Sequence, residues 1–293
     1  MKVLVLGSRG QLGRCLNDQF LNTDYKVIFT SREQIDIADF DSTKNYIKGL
    51  APDLIINATA YTEVDKAEKD AKKANLINHL AVKHIANICK SIDCWLIHIS
   101  TDYVFDGESD LPYKEDCQTN PRGIYGKTKL NGEFAIQSSL CKYIIIRTAW
   151  VFSEYGNNFL KTMLRIGSER AELSVVDDQI GCPTYAQDLA KAIVVIAPKL
   201  NSREELIGIY NYCGDASCSW FEFAEEIFKC AANFGVFIIP SLQSITTEKY
   251  PTLAERPKFS VLDNSYMYQK FGILPSNWKS GIASSLKKIN DLN

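Results

Sequence analysis

The stretch "MKVLVLGSRGQLG" at residues 1–13 decides the fold of this chain. Its run "KVLVL" predicts a β-strand, and "QLGRCLNDQF" (11–20) predicts the helix that follows. Gly7, Gly10 and Gly13 lie at this junction with the spacing GxxGxxG. Glycines there permit a tight turn, close approach of a pyrophosphate to the backbone, and close helix–strand packing. The stretch therefore predicts a dinucleotide-binding unit, with a plain glycine-rich turn as the alternative.

The same alternation of strand and helix continues through the first half of the chain. Apolar runs predict strands at 26–30, 53–58, 95–100 and 142–150, and helical patterns occupy 41–50 and 63–91. Asp41 or Ser42 is expected to cap the helix at 41–50. Nearly continuous apolar strands are typical of a parallel sheet that is buried on both faces. The chain is therefore predicted to be an α/β protein with a Rossmann-type doubly wound parallel sheet.

After about residue 150 the pattern is less regular. Helical patterns recur at 157–169, 185–197, 219–232 and 279–290, and short strand candidates occur at 173–176, 208–213 and 236–240. We expect residues 1–150 to form an NAD(P)-binding Rossmann domain, to which residues from about 180–215 return. The rest of 151–293 is expected to form mainly a smaller C-terminal substrate-binding lobe.

Composition narrows the class of protein. The 293 residues are 46% hydrophobic and 23% charged, and the formal net charge of -2 predicts no bulk attraction to nucleic acid or anionic membranes. The N-terminal apolar run is too short for a signal peptide, and no run approaches the roughly 18 apolar residues of a membrane span. The nine scattered cysteines include no CxxC pair, which argues against a disulfide framework or a cysteine-rich zinc site. A cytoplasmic protein without nucleic-acid or membrane partners is therefore expected.

The segment after the second strand bears on the choice of cofactor. An acidic residue at this place binds the ribose 2′-hydroxyl of NAD, whereas an arginine accommodates the 2′-phosphate of NADP. Here the strand is followed by Arg32, which predicts NADPH with NADH tolerated; the alternative is a solvated surface charge. Asp36 and Ile37 are expected beside the adenine, and the small residues Ala58 and Ala60 leave room for the cofactor at the end of the third strand.

Three residues after the later strands suggest a reaction. Thr101 follows the fourth strand in "HISTDYVFDG", and Tyr125 and Lys129 lie four apart in "GIYGKTKLNGE" (123–133). A helix presents such a pair on one face. In isolation the pair is better explained by an exposed tyrosine that packs its ring on a lysine stem.

Together with the glycine turn, these residues predict reversible ketone reduction. A hydride delivered to a carbonyl carbon produces an alkoxide that needs a proton, and tyrosine is a useful acid only when its pKa falls from about 10 toward the working pH. We expect the Lys129 ammonium and the oxidised nicotinamide to lower the pKa of Tyr125. Thr101 is expected to hydrogen-bond the same substrate oxygen.

Seven stretches together resemble one family: "GSRGQLG", "INATAYTEVDKAE", "ISTDYVFDG", "YGKTKLNGE", "RTAWVF", "DQIGCPTYAQDLA" and "AERPKFSVLD". Spread over nearly the whole chain, they are similar to the extended short-chain dehydrogenase/reductases and, more narrowly, to the dTDP-4-dehydrorhamnose reductase family. The resemblance implies NAD(P)H-dependent reduction of the 4-keto group of a nucleotide sugar, dTDP-4-dehydro-L-rhamnose, as the last step of dTDP-rhamnose biosynthesis.

Two alternatives stay open. One is a reductase or epimerase that acts on another nucleotide-4-ketosugar. The other is a non-catalytic regulatory subunit that binds a dinucleotide, although the intact set of Thr101, Tyr125 and Lys129 argues against it.

The resemblance also implies roles for individual residues. Besides Tyr125 and Lys129, the implied cofactor contacts are Gly7, Gly10, Gln11, Leu12, Asp36, Ile37, Ala60, Tyr61, Thr62 and Ile99. The implied substrate contacts are Thr101, Asp102, Tyr103, Trp150, Asn158 and Arg256. Trp150 is expected against the hexose, and Asn158 and Arg256 at the nucleotide end, since a forked guanidinium suits a diphosphate. The alternatives are a core tryptophan, a helix-start asparagine and a surface arginine.

The chain departs from the family at the positions of a metal site and in the loop that carries Leu253 and Glu255. Some members form dimers in which glutamates coordinate magnesium across the interface. The comparable positions here are occupied by Cys15 and Gln187, which replace hard carboxylate ligands poorly. We therefore expect no metal site, and both a monomer and a homodimer stay open.

Overall fold

The computed structural model describes residues 1–21, 23–200, 204–235 and 239–291. Its strands there are β1 (Lys2–Leu6), β2 (Lys26–Thr30), β3 (Leu54–Asn57), β4 (Trp95–Thr101), β5 (Lys142–Thr148), β6 (Val151–Phe152), β7 (Glu172–Val176), β8 (Ile180–Gly181), β9 (Thr184–Tyr185), β10 (Gly208–Asn211), β11 (Cys218–Ser219) and β12 (Ser241–Ile245). Its α-helices are α1 (Gln11–Phe20), α2 (Phe40–Leu50), α3 (Val64–Ala67), α4 (Ala71–Asn75), α5 (Ala81–Ser91), α6 (Ile124–Ser139), α7 (Phe159–Glu169), α8 (Ala186–Ile196), α9 (Trp220–Ala232), α10 (Ser265–Phe271) and α11 (Trp278–Asp291). A π-helical turn spans Leu76–Leu80, and 3₁₀ turns span Asp102–Val104, Ala197–Leu200, Glu204–Leu206 and Thr247–Lys249.

A parallel sheet forms the centre of the molecule. Within the described ranges it has six strands in the order β10-β5-β4-β3-β1-β2. The chain order reverses between β1 and β3, which is the topological switch point of a doubly wound sheet. The prediction of an α/β protein with a Rossmann-type sheet is therefore confirmed.

Apolar side chains alternate along the buried strands and pack under helices on both faces. Val3 and Val5 share a core with α1 and α8, whereas Leu4 and Leu6 share one with α2, α5 and α6. All four valine and leucine side chains are buried. Burial on both faces accounts for the continuous apolar runs in the sequence.

Most of the predicted helices lie within two residues of their expected bounds, but two expectations need correction. The cap of α2 is Asp39, whose side chain accepts from the backbone N–H of Ser42, and not Asp41 or Ser42. The helical pattern at 63–91 is divided into α3, α4, the π-helical turn and α5. The turn carries Asn78, whose side chain binds both backbone groups of Tyr61, and this long-range contact is not encoded in the local periodicity.

The second half of the chain builds a further apolar core. Helices α7, α9 and α11 pack around Phe152, Phe223 and Trp278, and β7 pairs in parallel with β12. The strand candidate at 236–240 falls partly on 236–238, outside the described residues, and β12 begins after it.

The division into two domains stays a prediction. Two observations bear on it: β10 pairs with β5 at the edge of the main sheet, and α8 packs against α1. No helix within the described ranges combines the length and the apolar character that crossing a bilayer requires.

Candidate active site

The glycine turn after β1 has the geometry that its spacing predicts. Gly7 adopts a φ of 89°, a left-handed conformation that favours glycine. A Cβ on Gly13 would overlap the carbonyl oxygen of Gly7, so α1 approaches the turn closely. Gly10 is the N-cap of α1 and has no side chain to satisfy the first backbone N–H groups. These groups and the helix dipole therefore favour an anion at this end of α1.

The two residues that begin α1 differ in their surroundings. Leu12 is buried in the core, whereas Gln11 binds residues of the second half of the chain. The side chain of Gln11 donates to the carbonyl of Val151 at 3.1 Å and accepts from Nδ2 of Asn158 at 2.6 Å. Asn158 also caps α7, because its Oδ1 accepts from the N–H of Lys161. The structure therefore gives Asn158 the helix-start role that the sequence offered as the alternative.

The segment after β2 exposes a charge pair. The guanidinium of Arg32, whose side chain is 70% exposed, lies 3.1 Å from the carboxylate of Asp36. The other carboxylate oxygen of Asp36 accepts from the N–H of Ala38 at 3.0 Å. Ile37 is buried beside this pair. Asp36 thus already binds two donors of the protein, which reduces its capacity to accept from adenine.

An open edge follows β3. Ala58 continues the sheet by donating to the carbonyl of Leu6, Ala60 and Thr62 are exposed, and Tyr61 is half-buried. The side chain of Asn78 accepts from Tyr61 N at 2.8 Å and donates to Tyr61 O at 3.1 Å. Asn78 was not singled out from the sequence, because its partner lies 17 residues away and the only local signal is an asparagine in a helical pattern.

Thr101, Asp102 and Tyr125 meet where β4 ends. The hydroxyl of Thr101 donates to Oδ1 of Asp102 at 2.9 Å and accepts from the N–H of Tyr103 at 3.2 Å. Tyr125 is half-buried with its hydroxyl beside that of Thr101, and its ring meets that of Tyr103 edge-on at 5.5 Å. The N-terminal end of α6 is held by the side chain of Glu68, which accepts from the N–H of Ile124 at 2.7 Å.

The pKa of Tyr125 moves in the opposite direction from the one expected. Burial raises it above the ordinary value, and the neighbouring hydroxyl of Thr101 opposes that rise only partly. Lys129 points elsewhere: its Nζ donates to the carbonyl of Ile99 at 2.5 Å and lies 3.3 Å from Nε2 of His98. In this structure, therefore, Lys129 does not lower the pKa of Tyr125, and the sequence-based expectation is corrected.

Asp102 is a buried carboxyl group at this site. Burial raises its pKa to about 6, and the nearby hydroxyl groups of Ser260 and Thr101 oppose the rise. Its Oδ2 atom is buried and finds no hydrogen-bond partner within the described part of the chain. A buried polar atom without a partner is uncommon, and here it suits a polar ligand at the end of β4.

A cavity of about 790 Å³ lies among α7, β7, α9 and β12. Aromatic and basic side chains line it together: Phe159, Trp220, Tyr250, Arg170, Lys249 and Arg256. Aromatic faces suit a nucleobase, and guanidinium and ammonium groups suit phosphate oxygens. The volume falls within the usual range for small-molecule sites.

Arg256 connects this cavity with the end of β4. Its guanidinium donates to the hydroxyl of Tyr103 at 2.9 Å and to Oδ2 of Asp65 at 2.6 Å. Because the ring of Tyr103 contacts that of Tyr125, one chain of contacts runs from the cavity to the tyrosine. Arg256 is therefore an anchored residue rather than a solvated surface arginine.

Trp150 lies behind the cavity wall. It adopts a φ of 47°, and its ring stacks on Trp220 with centroids 3.5 Å apart and planes 8° apart. A Cβ at Gly181 would overlap the ring of Trp150, so a glycine is needed there. Trp220 is the member of the stack that lines the cavity, and sequence reasoning missed it; the available signal was the tryptophan of "CSWFEF" at a helix start.

The residues at the position implied for magnesium do not fit that ion. Cys15 is fully buried, and burial raises the pKa of its thiol, which keeps it protonated. Gln187 donates to Asp18 at 2.6 Å and to Glu154 at 3.0 Å, and the ammonium of Lys288 lies 2.6 Å from Glu154. A lysine thus neutralises the carboxylates that a hard cation would need. No cluster of three or more His, Cys, Asp or Glu residues in the described ranges could hold a metal.

Comparison with known proteins gives a consistent result. The family model described as the RmlD substrate binding domain matches residues 1–290. A dTDP-4-dehydrorhamnose reductase of Aggregatibacter actinomycetemcomitans is 41% identical over 284 residues, which are 96% of this chain and 97% of that protein.

Two solved structures are similar over their whole length. The dTDP-4-dehydrorhamnose reductase of Clostridium acetobutylicum shares 37% identity and has a TM-score of 0.92, with 99% of this chain and 100% of that chain covered. The enzyme of the same name from Bacillus anthracis, solved in complex with NADP, shares 36% identity, has a TM-score of 0.89, and covers 98% of this chain and 99% of its own.

Proposed function

The chain belongs to the RmlD substrate-binding family, and on this basis we propose that it is an NADPH-dependent dTDP-4-dehydrorhamnose reductase. It reduces the 4-keto group of dTDP-4-dehydro-L-rhamnose and so completes dTDP-L-rhamnose synthesis. The observation that carries the proposal is that Tyr125 lies beside Thr101 and Asp102 at the end of β4, with the cavity linked to it through Tyr103 and Arg256. Neither of the open alternatives has an observation of its own in its favour.

The residues at the end of β4 have separate roles in proton transfer. When bound, the reduced nicotinamide supplies the hydride to the carbonyl carbon. Tyr125 then gives its phenolic proton to the carbonyl oxygen, and its raised pKa ensures that it carries that proton beforehand. Thr101 holds the phenol in place, and the open Oδ2 of Asp102 accepts from a sugar hydroxyl. Lys129, on the same helix, would turn from the carbonyl of Ile99 to hold the nicotinamide ribose.

The cavity is the proposed site for the nucleotide half of the substrate. Arg256, Arg170 and Lys249 supply positive charge for the diphosphate, and Arg256 is held rigidly by Tyr103 and Asp65. The stacked aromatic wall suits the nucleobase. This arrangement supports a nucleotide sugar as the partner and leaves Trp150 to support the wall rather than to contact the sugar.

For the cofactor we propose NADPH, with NADH as a slower substitute. The exposed guanidinium of Arg32 supports a 2′-phosphate contact, although that contact must compete with Asp36. Magnesium has no role in this proposal, because Lys288 already neutralises Glu154 and Asp18.

We also propose a location for the protein and the kinds of partner that it binds. A cytoplasmic location is supported by the nine cysteines, all of them free thiols within the described ranges and seven of them buried. No nucleic-acid or membrane partner is proposed, given the net charge of -2. Monomer and homodimer both remain compatible with the proposal, and light scattering of the purified protein distinguishes them.

A coupled assay tests the function. The 4-keto sugar is generated from dTDP-glucose by the dehydratase and epimerase activities that precede this step, and the nicotinamide absorbance is followed with NADPH and with NADH. We expect one mole of NADPH consumed per mole of dTDP-L-rhamnose formed. Product without stoichiometric consumption of cofactor would indicate an epimerase, and cofactor binding without any turnover would indicate a regulatory subunit.

A further inference from the structure

A chain of buried hydrogen bonds leads from the end of β3 to Lys129. The backbone N–H of Thr59 donates to Oδ1 of Asn57 at 3.1 Å, and the hydroxyl of Thr59 donates to the same atom at 2.5 Å. Nδ2 of Asn57 lies 3.2 Å from Nδ1 of His98, and Nε2 of His98 lies 3.3 Å from Nζ of Lys129. Asn57, His98 and Lys129 are all buried to 1% exposure or less.

The direction of this chain is fixed at its first link. A backbone N–H can only donate, so the atom of Asn57 that faces Thr59 is its carbonyl oxygen. The amide nitrogen of Asn57 then faces His98, and because it can only donate, Nδ1 of His98 must accept. A neutral imidazole that accepts at Nδ1 carries its proton on Nε2. His98 is neutral here, since burial holds its pKa well below the ordinary value.

The last link determines the form of Lys129. The Nε2–H of His98 points at Nζ, which can accept only as an uncharged amine with a lone pair. An amine also retains hydrogens, one of which it donates to the carbonyl of Ile99 at 2.5 Å. If Lys129 were an ammonium, one of its N–H groups would face the Nε2–H of His98, and neither donor would have an acceptor. An unmade hydrogen bond is costly in a buried place.

From this geometry we propose that Asn57 and His98 are positioning residues. They hold the side chain of Lys129 against β4 as a neutral amine in the cofactor-free enzyme. The inference rests on the proposed function for its consequence, because Lys129 can stabilise a charged Tyr125 only after it takes up a proton. The amine form agrees with Tyr125 keeping its own proton in this state. Neither Asn57 nor His98 touches the reacting atoms.

The titratable and charged groups around Lys129 lie on α6, β4 and β5. Glu133, one turn further along α6, favours the ammonium, but it is bound by the guanidinium of Arg147 on β5 at 2.7 and 3.1 Å. Tyr125 lies one turn earlier on α6, and His98 faces Nζ from β4. Burial lowers the pKa of Lys129 to about 8, with Glu133 opposing. An N–H donor at Nε2 of His98 disfavours the ammonium and so lowers the pKa of Lys129 further.

Imidazole ¹⁵N spectroscopy tests the tautomer directly. The chain has three histidines, so the signals of the cofactor-free enzyme are assigned with His79→Gln and His84→Gln. We expect His98 to carry its proton on Nε2, and Asn57→Asp, which offers an acceptor to Nδ1, to move the proton to Nδ1. A proton on Nδ1 in the unaltered enzyme, or a tautomer that Asn57→Asp leaves unchanged, would overturn the proposal.

The sign of a pKa change gives an independent test. His98→Phe keeps the ring but removes the Nε2–H, so the Lys129 midpoint, followed by the ¹³Cε signal in lysine-labelled protein, should rise by at least one pH unit. The alkaline limb of kcat should rise with it. A fall in the midpoint would mean that His98 accepts from an ammonium, and the proposal would be wrong. Consumption of NADPH by the unaltered enzyme tests the function separately from both results.

Discussion

At the scale of single residues, the substitution of Tyr125 tests the proton donor most specifically. Tyr125→Phe keeps the ring and its contact with Tyr103 but removes the proton donor. We expect kcat to fall by about 10²–10⁴-fold, with the affinity for NADPH nearly unchanged. Stopped-flow absorbance and cofactor titration measure the two quantities. Retention of full turnover would show that another group supplies the proton.

Asp102 is expected to link stability with pH. Its pKa is raised from 3.8 to about 6, so the folded state binds the proton more tightly than the unfolded one. Stability is therefore lost as pH rises from about 4 to about 6, and the ionised carboxylate costs up to about 3 kcal/mol at pH 7. Asp102→Asn removes this cost of the ionised carboxylate. Its amide has a hydrogen without an acceptor, which offsets part of the gain in stability.

The Asp102→Asn variant should accordingly unfold with a free energy about 1–2 kcal/mol higher at pH 7 and about 1 kcal/mol lower at pH 4, because the unmade hydrogen bond costs the same at both pH values. Urea unfolding at the two pH values measures the difference. A variant less stable at both pH values would show that Asp102 makes a favourable contact when ionised.

Arg32 is the residue on which cofactor preference depends. Its guanidinium is exposed and paired only with Asp36 in the contacts that the structure describes for it. Loss of one phosphate contact should raise KM for NADPH by about 5–30-fold in Arg32→Ala, since charge-assisted hydrogen bonds contribute about 1–2 kcal/mol. KM for NADH should change little. Equal losses with both cofactors would contradict a role at the 2′-phosphate.

At the scale of secondary-structure elements, the contact between β1 and α1 depends on the absence of a side chain. In Gly13→Ala the new Cβ would overlap the backbone of Gly7 and Ser8, so α1 must move away from the turn. We expect a loss of about 2–3 kcal/mol in stability and weaker cofactor binding, as for other overpacked sites.

A glycine in another helix provides the matched control. A Cβ at Gly49, near the end of α2, meets no atom within 4 Å. Gly49→Ala should therefore stabilise the protein by about 0.5–1 kcal/mol, because alanine loses less backbone freedom on folding. Thermal unfolding of both variants measures the contrast. Similar effects from the two substitutions would show that the approach of α1 to the turn is not tight.

At the scale of the whole molecule, one polar cluster joins the first and last helices. Lys288 of α11 binds the fully buried carboxylate of Glu154 and lies 3.6 Å from Asp18 of α1. Lys288→Met leaves Glu154 buried without its cation, and removing one partner of such a pair is destabilising. Because the lysine is 43% exposed, we expect a loss of about 2 kcal/mol rather than the full value for a buried pair.

Two controls define this prediction. Lys287→Met removes an exposed charge from the same helix and should change the free energy of unfolding by less than about 0.5 kcal/mol. Addition of magnesium or a chelator should leave the melting temperature of the unaltered protein unchanged. A melting temperature that depends on magnesium would show that a cation binds despite Lys288.

The sequence by itself determined the features that a few neighbouring residues encode. Gly7 and Gly13 specify the turn because backbone geometry there tolerates no side chain, and continuous apolar strands specify a sheet covered on both faces. Thr101 and Tyr125 were found by their positions after a strand and on a helix, and the structure brings them into contact. Their catalytic roles stay predictions.

Only the tertiary structure decided the contacts that join distant parts of the chain. Arg256 binds Asp65 across 191 residues, and Lys288 binds Glu154 across 134, so no local pattern records either pair. Trp220 lines the cavity in front of Trp150, and Lys129 turns toward His98 instead of Tyr125. Side-chain direction, burial and the resulting pKa values depend on what packs around each group. Sequence periodicity fixes the elements, whereas their packing fixes the chemistry of the site.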